Sequence, residues 1–483
     1  MSRHVSHFPS DGDDAGGTQL SDRALPLLDM PWWCSPAGIT VGFLIPTICL
    51  VAMASELQLS SLTFRGVRFL DLSSILLGVL MLLPIALGGW VGSQVAFRRS
   101  PRSIDFWSWD RAAMVMGLIA CVSYLVLFKD VLLRPATLIQ VLLGSFKPNR
   151  EDLGASAGLG SLVNMAQVFF AIAAFRLVDR RAPPMPALMR VLLVVLLMLT
   201  LLRVYLQSER LALMEIMVPF GLAAGRWMYE RRQQGWTVLG ALGPFAALPF
   251  VVLYFGVAEY FRSWGSDAYR GKTSFWDFAI GRFLSYYVTS LNNGAGLVET
   301  TPAATWKFEH VLEWAHRAPF GLGADFSSYI GFNAEAKSSF RWFLRTYADV
   351  EFNSNSGIYV PVADLGVHIA LIYMLMIGTF AGLAYRSYRS SRITGVLFFP
   401  LFFITFLEIF RYPFLGQPRA FTWTLGILLA MFLVYMLGLL RKMRGSGVFQ
   451  GVVSPGGSPA GSSSAARHSG SVLAASNHHA EQQ

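Results

Sequence analysis

Ten apolar stretches, each near the length of a membrane-crossing helix, alternate with short arginine-rich links, and one polar stretch of about a hundred residues interrupts them. About 20 mainly apolar residues in a helix cross the hydrocarbon core of a bilayer. The stretches fall at 37–55, 71–97, 112–128, 157–177, 187–206, 211–228, 236–256, 358–385, 394–411 and 420–440. Backbone amides in hydrocarbon must be satisfied within their own segment, so these are helices. The ten-residue alternation of an outer-membrane barrel is missing. The expected fold is all-α: a polytopic integral membrane bundle of about ten transmembrane helices, with a long outer loop carrying short helices.

Composition agrees. Hydrophobic residues make up 54% of the 483 and charged residues 14%, against about a quarter charged in soluble proteins. The net charge of +10 comes mostly from arginines at the ends of apolar runs. That placement suits contact with anionic lipid headgroups better than nucleic acid binding, for which the sequence carries no motif. The three cysteines, Cys34, Cys49 and Cys121, form no CxxC pair, so neither a metal site nor a disulfide framework is expected. Residues 1–36 carry Asp11, Asp13 and Asp14 ahead of the first apolar run. They read as a cytoplasmic tail rather than a cleavable signal.

The links orient the chain. Arg98, Arg99 and Arg102 follow the second stretch, Arg176, Arg180 and Arg181 the fourth, and Arg226, Arg231 and Arg232 the sixth. Arg386, Arg389 and Arg392 follow the eighth, and Arg441, Lys442 and Arg444 the tenth. Basic links stay in the cytoplasm, so both termini are expected there, in a multi-pass protein of a bacterial inner membrane. Helices one to seven occupy 37–256, an outer loop 257–357, helices eight to ten 358–440, and a Gly/Ser-rich disordered cytoplasmic tail 441–483. The loop is rich in aromatics, with helical patterns at 274–290, 306–316 and 337–348, and suits a cap half sunk in lipid headgroups.

Three constellations carry candidate chemistry. Arg210, in Gln207-Ser208-Glu209-Arg210, stands ten residues before Gly221, and Arg203 lies one heptad upstream. Guanidinium groups at the outer mouth of a bundle grip phosphate bidentately, or they snorkel to headgroups or pair with Glu209 or Glu215. Arg270 and Gly281 repeat the R-x10-G spacing in the long loop, near Arg262 and Arg282; a solvated basic face is the plainer reading. The third is Glu351-Phe352-Asn353-Ser354-Asn355-Ser356-Gly357, running on to Asp364 and His368. Its amides and hydroxyls can bind sugar hydroxyls or cap a helix. Asp364 and His368, four apart, are expected on one helix face. His310 and His316 are spaced poorly for zinc and read first as part of an amphipathic cap helix.

In the order of these features the chain resembles the O-antigen polymerases, or oligosaccharide repeat-unit polymerases, over most of 37–440. The resemblance implies a helical, metal-independent glycosyltransferase of the GT-C type, needing no cofactor. Its substrate would be oligosaccharide linked to undecaprenyl pyrophosphate, polymerised into O-antigen, capsule or exopolysaccharide at the outer face of the inner membrane. Flippase and chain-length-regulator proteins are the implied partners. A hydroxyl of one unit would attack the anomeric carbon of the growing chain, and undecaprenyl pyrophosphate would leave.

A departing diphosphate held without metal needs arginine or lysine. Arg210 is the first candidate, with Arg203, Arg270 and Arg282 binding substrate beside it. The attacking hydroxyl needs a proton acceptor. Related ligases carry a histidine just before the helix where Asn353 and Asn355 stand here, so Glu351 takes that role, with Asp364 behind it and the two asparagines binding substrate. An O-antigen ligase, which transfers finished glycan, is the neighbouring reading. A transporter or flippase of lipid-linked sugars is the other, although such a protein would gather polar groups near the midplane.

Overall fold

A computed structural model describes residues 27–57, 66–96, 103–142, 159–207, 209–231, 234–260, 264, 274–301, 305–332, 339–349 and 351–445. Among them there is no strand; the chain is an all-α, multi-pass helical bundle. Among the described residues eight helices are long and apolar enough to cross a membrane. They are α1 (Pro36–Glu56), α2 (Leu72–Gln94), α3 (Phe106–Leu127), α4 (Ser161–Val178), α5 (Ala187–Gln207), α6 (Arg210–Glu230), and two in the last third of the chain, Val367–Arg389 and Pro418–Gly445. Helix ends follow local chemistry. Asp71 caps α2 by accepting from the Ser74 N–H at 2.8 Å, and Ser74 Oγ accepts from the Asp71 N–H in return. That reciprocal pairing satisfies two donors that a helix start otherwise leaves open.

The seventh stretch, expected whole over 236–256, is broken. α7 (Gln234–Ala241) and α8 (Gly243–Glu259) meet at 60°. Pro244 has no N–H to give the Gly240 carbonyl, and a helix bends where that bond is lost. Trp33 Nε1 donates to Gly240 O instead, at 2.7 Å, and Trp32 Nε1 to Ala241 O at 2.8 Å.

Beyond α8 lie α9 (Phe275–Thr300), α10 (Glu313–His316), α11 (Leu322–Tyr329) and α12 (Ser339–Tyr347). The helical pattern read at 274–290 thus continues to Thr300, and of that read at 306–316 only Glu313–His316 is helical. In the part that is not, Trp306 and Phe308 have left-handed φ of 54° and 51°. The expected eighth span, 358–385, divides at Gly366 (φ 77°, ψ 163°), where α13 (Val360–Leu365) ends and α14 (Val367–Arg389) begins. The register that was to put Asp364 and His368 on one helix face is lost there: Asp364 is buried and His368 exposed. α15 (Ile393–Glu408) is apolar but only 16 residues long, and α16 (Pro418–Gly445) follows.

The closest helix packing joins α2 and α14. A Cβ on Gly88 would fall 2.3 Å from Leu375 O, one on Gly92 2.3 Å from Thr379 O, and one on Gly378 2.3 Å from Ile85 O. Small residues four apart let two backbones meet this way in a membrane.

The helix ends sort onto two faces. One gathers the described basic links. Leu28 and Arg389 exchange hydrogen bonds of 2.8 Å there, Arg176 pairs with Asp110 at 2.8 Å, and Asp179 accepts from Arg181 and Arg226. The opposite face carries α9 laid across it. Phe283 meets Phe255 near the end of α8, Tyr287 meets Phe410 beyond α15, and Asn292 accepts from the Phe69 and Leu70 N–H groups ahead of α2. A helix touching three spans at the same end lies along the face rather than through the bundle.

Candidate functional site

Three loops converge on that second face and enclose a cavity of about 690 Å³. The first runs from Thr305 to Arg317, the second from Glu351 to Gly357, and the third from Glu408 to Gln417. Their backbones touch so closely that glycine is required twice. A Cβ on Gly357 would sit 2.6 Å from Tyr412 O, and one on Gly416 2.3 Å from His310 O. Asn293, buried on α9, donates to the Phe352 and Ser354 carbonyls and ties the second loop down. Asp364 Oδ2 accepts from the backbone N–H of His310 (2.9 Å) and Val311 (3.0 Å) and ties the first. Burial pushes the Asp364 carboxyl up, against the pull of His310 and of those two donors.

Glu309, His310 and Glu313 line one part of the cavity, Asn353 and Asn355 another, and Arg341 and Arg345 a third. Asn355 Nδ2 stands 3.2 Å from His310 Nδ1. An amide nitrogen only donates, so Nδ1 accepts and the ring proton is on Nε2. That Nε2 is buried without a hydrogen-bond partner. It faces Glu309 Oε1 at 3.9 Å, too far for a hydrogen bond. Glu309 Oε2 is fixed by Ser339 Oγ at 2.7 Å. An oxygen placed between the two could donate to Glu309 and accept from His310 at once. Arg341 and Arg345 are one turn apart on α12, whose Phe343 and Leu344 are buried, so both guanidinium groups project from the same side. His316 is committed elsewhere: its Nε2 bonds Lys307 O at 3.0 Å and its Nδ1 meets Ser327 Oγ at 2.9 Å.

The residues singled out from sequence separate into three places. Asn353 and Asn355 line the cavity, and Asp364 supports its wall. Glu351 and Arg282 are brought together, 2.6 Å apart, with Glu259 on the other side of the fully buried Arg282 at 3.2 Å. Arg203 is buried in a third group, where Glu209 holds it at 2.7 Å and Arg419 joins Glu209 to Glu215. Gln167 completes that group from α4, donating to Glu215 at 2.7 Å. Glu408 and Arg411 pair at 2.9 Å. Arg210 begins α6, but its side chain, like Arg270, lies outside the described residues. Gly221, the far end of the first R-x10-G spacing, faces open space.

Glu309, Arg341 and Arg345 were not singled out from sequence. The signal was an arginine pair at i, i+4 opposite an apolar pair on a short helix. For Glu309 only the fold supplies it, because its partners lie 30 and more residues away or depend on turns with left-handed φ. Among the described residues no three His, Cys, Asp or Glu side chains are placed to hold a metal ion. Comparison of the chain with protein-family models, curated proteins and solved structures returns no match.

Proposed function

We propose that the chain is a glycosyltransferase that polymerises polyprenyl-diphosphate-linked oligosaccharide on the face opposite its basic links. The observation that carries this reading is the cavity, in which a carboxylate, a partnerless imidazole nitrogen and two guanidinium groups meet beside the membrane boundary. Each part answers one demand of the reaction. The incoming sugar hydroxyl lies between Glu309 and His310, giving its proton to Glu309 Oε1 while His310 Nε2–H holds its oxygen. General-base help of this kind is worth roughly a hundredfold to ten-thousandfold. The hydroxyl oxygen then bonds to the anomeric carbon of the donor as the bond from that carbon to the diphosphate oxygen breaks. Arg341 and Arg345 take the charge that develops on the leaving diphosphate, the bidentate role for which guanidinium is suited. Asn353 and Asn355 orient sugar hydroxyls.

The role given to Glu351 on sequence passes to Glu309 in this scheme, because Glu351 is engaged by Arg282. Arg282, buried between Glu259 and Glu351, serves to hold the second loop, and Asp364 to position the first. The test is a strain lacking the gene, complemented with wild type, Glu309→Gln or Arg345→Ala, and analysed by glycan gel. Loss of polymer with single repeat units retained, restored by wild type and by neither variant, is the expected result. Long chains accumulating on the carrier lipid would assign a ligase instead, and unchanged glycans would remove both.

A further inference from the structure

A second cavity, of about 410 Å³, opens on the face of the basic links. That volume lies within the roughly 300–1,000 Å³ of small-ligand sites. Its lining comes from four places: Asp29 and Met30 ahead of α1, Tyr229 in the last turn of α6, Thr237 on α7, and Tyr385 and Arg389 at the end of α14. None of these residues belongs to the site on the opposite face.

The walls are fixed from behind. Arg389 Nε donates to Leu28 O and the Leu28 N–H donates to Arg389 O, both at 2.8 Å, which ties the incoming chain to the end of α14. Tyr229 lies against Gly240, where a Cβ would meet its ring at 3.0 Å. Trp32 and Trp33, just beyond Met30, hold the end of α7 by their ring N–H groups.

The donors that border the space are open. Tyr385 is 6% exposed, yet its hydroxyl makes no hydrogen bond with any described residue, and neither does that of Tyr229. The Arg389 guanidinium lies 5.8 Å from the Tyr385 ring centre and is engaged only at Nε. Among the described residues no carboxylate pairs with Arg389, whereas Arg176, Arg181 and Arg226 of the same face each have one. Asp29 borders the same space and is exposed.

We propose that this cavity binds a zwitterionic aminoethyl phosphate, carried as the headgroup of an ethanolamine phospholipid in the adjoining leaflet or free in solution. The phosphate takes the two terminal nitrogens of Arg389, the fork that suits guanidinium to phosphate. The Tyr385 and Tyr229 hydroxyls donate to its other oxygens. The ammonium end goes to Asp29. A carboxylate accepts at about four positions, so a bond to it from within the protein leaves room for the amine. A plain anion would meet the Asp29 charge across the same space, whereas a zwitterion is complemented at both ends. Tyrosines at the ends of spanning helices lie at headgroup level, where such a lipid presents its phosphate. The site is independent of the transferase reading and stands or falls without it.

Native mass spectrometry of the full-length protein in detergent tests it, by titration with ethanolamine and glycerol phospholipids of identical acyl chains. Wild type should hold the ethanolamine lipid about tenfold more tightly, the least expected of a hydrogen bond between charged groups. Asp29 is exposed, so Asp29→Asn should leave the fold intact; it should abolish the preference without weakening the glycerol lipid. Arg389→Lys keeps the charge but loses the fork and should weaken both lipids. Arg190→Ala, at an exposed arginine in the first turn of α5, should change neither. Free phosphoethanolamine separates the sources. If it binds wild type but not Asp29→Asn, while neither lipid is preferred, the site stands and its ligand is the soluble zwitterion. Equal affinity for the two lipids with no binding of free phosphoethanolamine leaves only ordinary bilayer lipid and overturns the proposal. Tighter binding of the glycerol lipid by wild type overturns it too, because an anion would then suffice.

Discussion

Arginine stands at both ends of these helices, in two different settings. On the face of the basic links, Arg176 and Arg226 are each held by a carboxylate from another helix or link, and Arg181 by Asp179 of its own link, which it shares with Arg226. Arg226 is 2% exposed and stacks over Phe175 as well. On the opposite face Arg341 and Arg345 border a cavity that also holds Glu309 and His310. The buried networks of that face, around Arg203 and Arg282, join helix ends to loops. Like residues therefore fasten at both ends, and at each end some line a space.

The largest effect that would sharpen this contrast is Glu309→Gln. It should lower polymer formation at least a hundredfold, the lower end of what a lost proton acceptor costs, while the melting temperature of the purified protein stays unchanged. A matching fall in stability would place Glu309 among the fasteners. The second is Asp179→Ala, which strands Arg226 and Arg181 without their shared acid. Arg226 keeps Glu230 at 2.6 Å and Arg181 is 39% exposed, so the cost should stay below the roughly 3–5 kcal/mol of a fully stranded buried charge; thermal unfolding should shift downward, and polymer should fall only in step with the amount of folded protein. A purely catalytic loss would break the comparison.

Gly357→Ala should be intermediate. Its Cβ would meet Tyr412 O at 2.6 Å, and overpacking costs about 1–3 kcal/mol; melts of the variant with and without glycan product assays would separate strain from loss of the cavity. The smallest effect is on pH. Burial alone would raise the Asp179 carboxyl, but the hydrogen bonds from Arg181 and the charge of Arg226 outweigh it and bring it down to about 2. A depressed carboxyl contributes stability that is complete above its unfolded value near 4 and lost as pH falls toward 2. Melting curves at pH 5, 4 and 3 should show that loss in wild type and less of it in Asp179→Asn.

The sequence is most legible where one-dimensional pattern and physical cause coincide. Apolar length foretells α1 to α6 to within six residues at every end, α3 beginning at Phe106 rather than 112, because hydrocarbon thickness sets it. The breaks were harder. Pro244 could be read, but the Trp32 and Trp33 donors that make the bend tenable come from two hundred residues away. Gly366 at positive φ turned the expected eighth span into two helices and took Asp364 from a supposed partnership with His368 to the backbone of residues 310 and 311. Of the site, the asparagine-rich run was visible as too many polar groups for a cap. Glu309 was not, since nothing nearby in sequence marks it.

By itself the sequence determined that this chain is an all-helical membrane protein with its basic links alternating, since those properties follow from composition and length along one dimension. Tertiary structure alone decided which arginines fasten helix ends and which border a cavity, and how the side chains of the neighbours Glu309 and His310 are turned toward one another. Side-chain orientation depends on contacts through space, and here Ser339 on Glu309 and Asn355 beside His310, both from distant parts of the chain, set it.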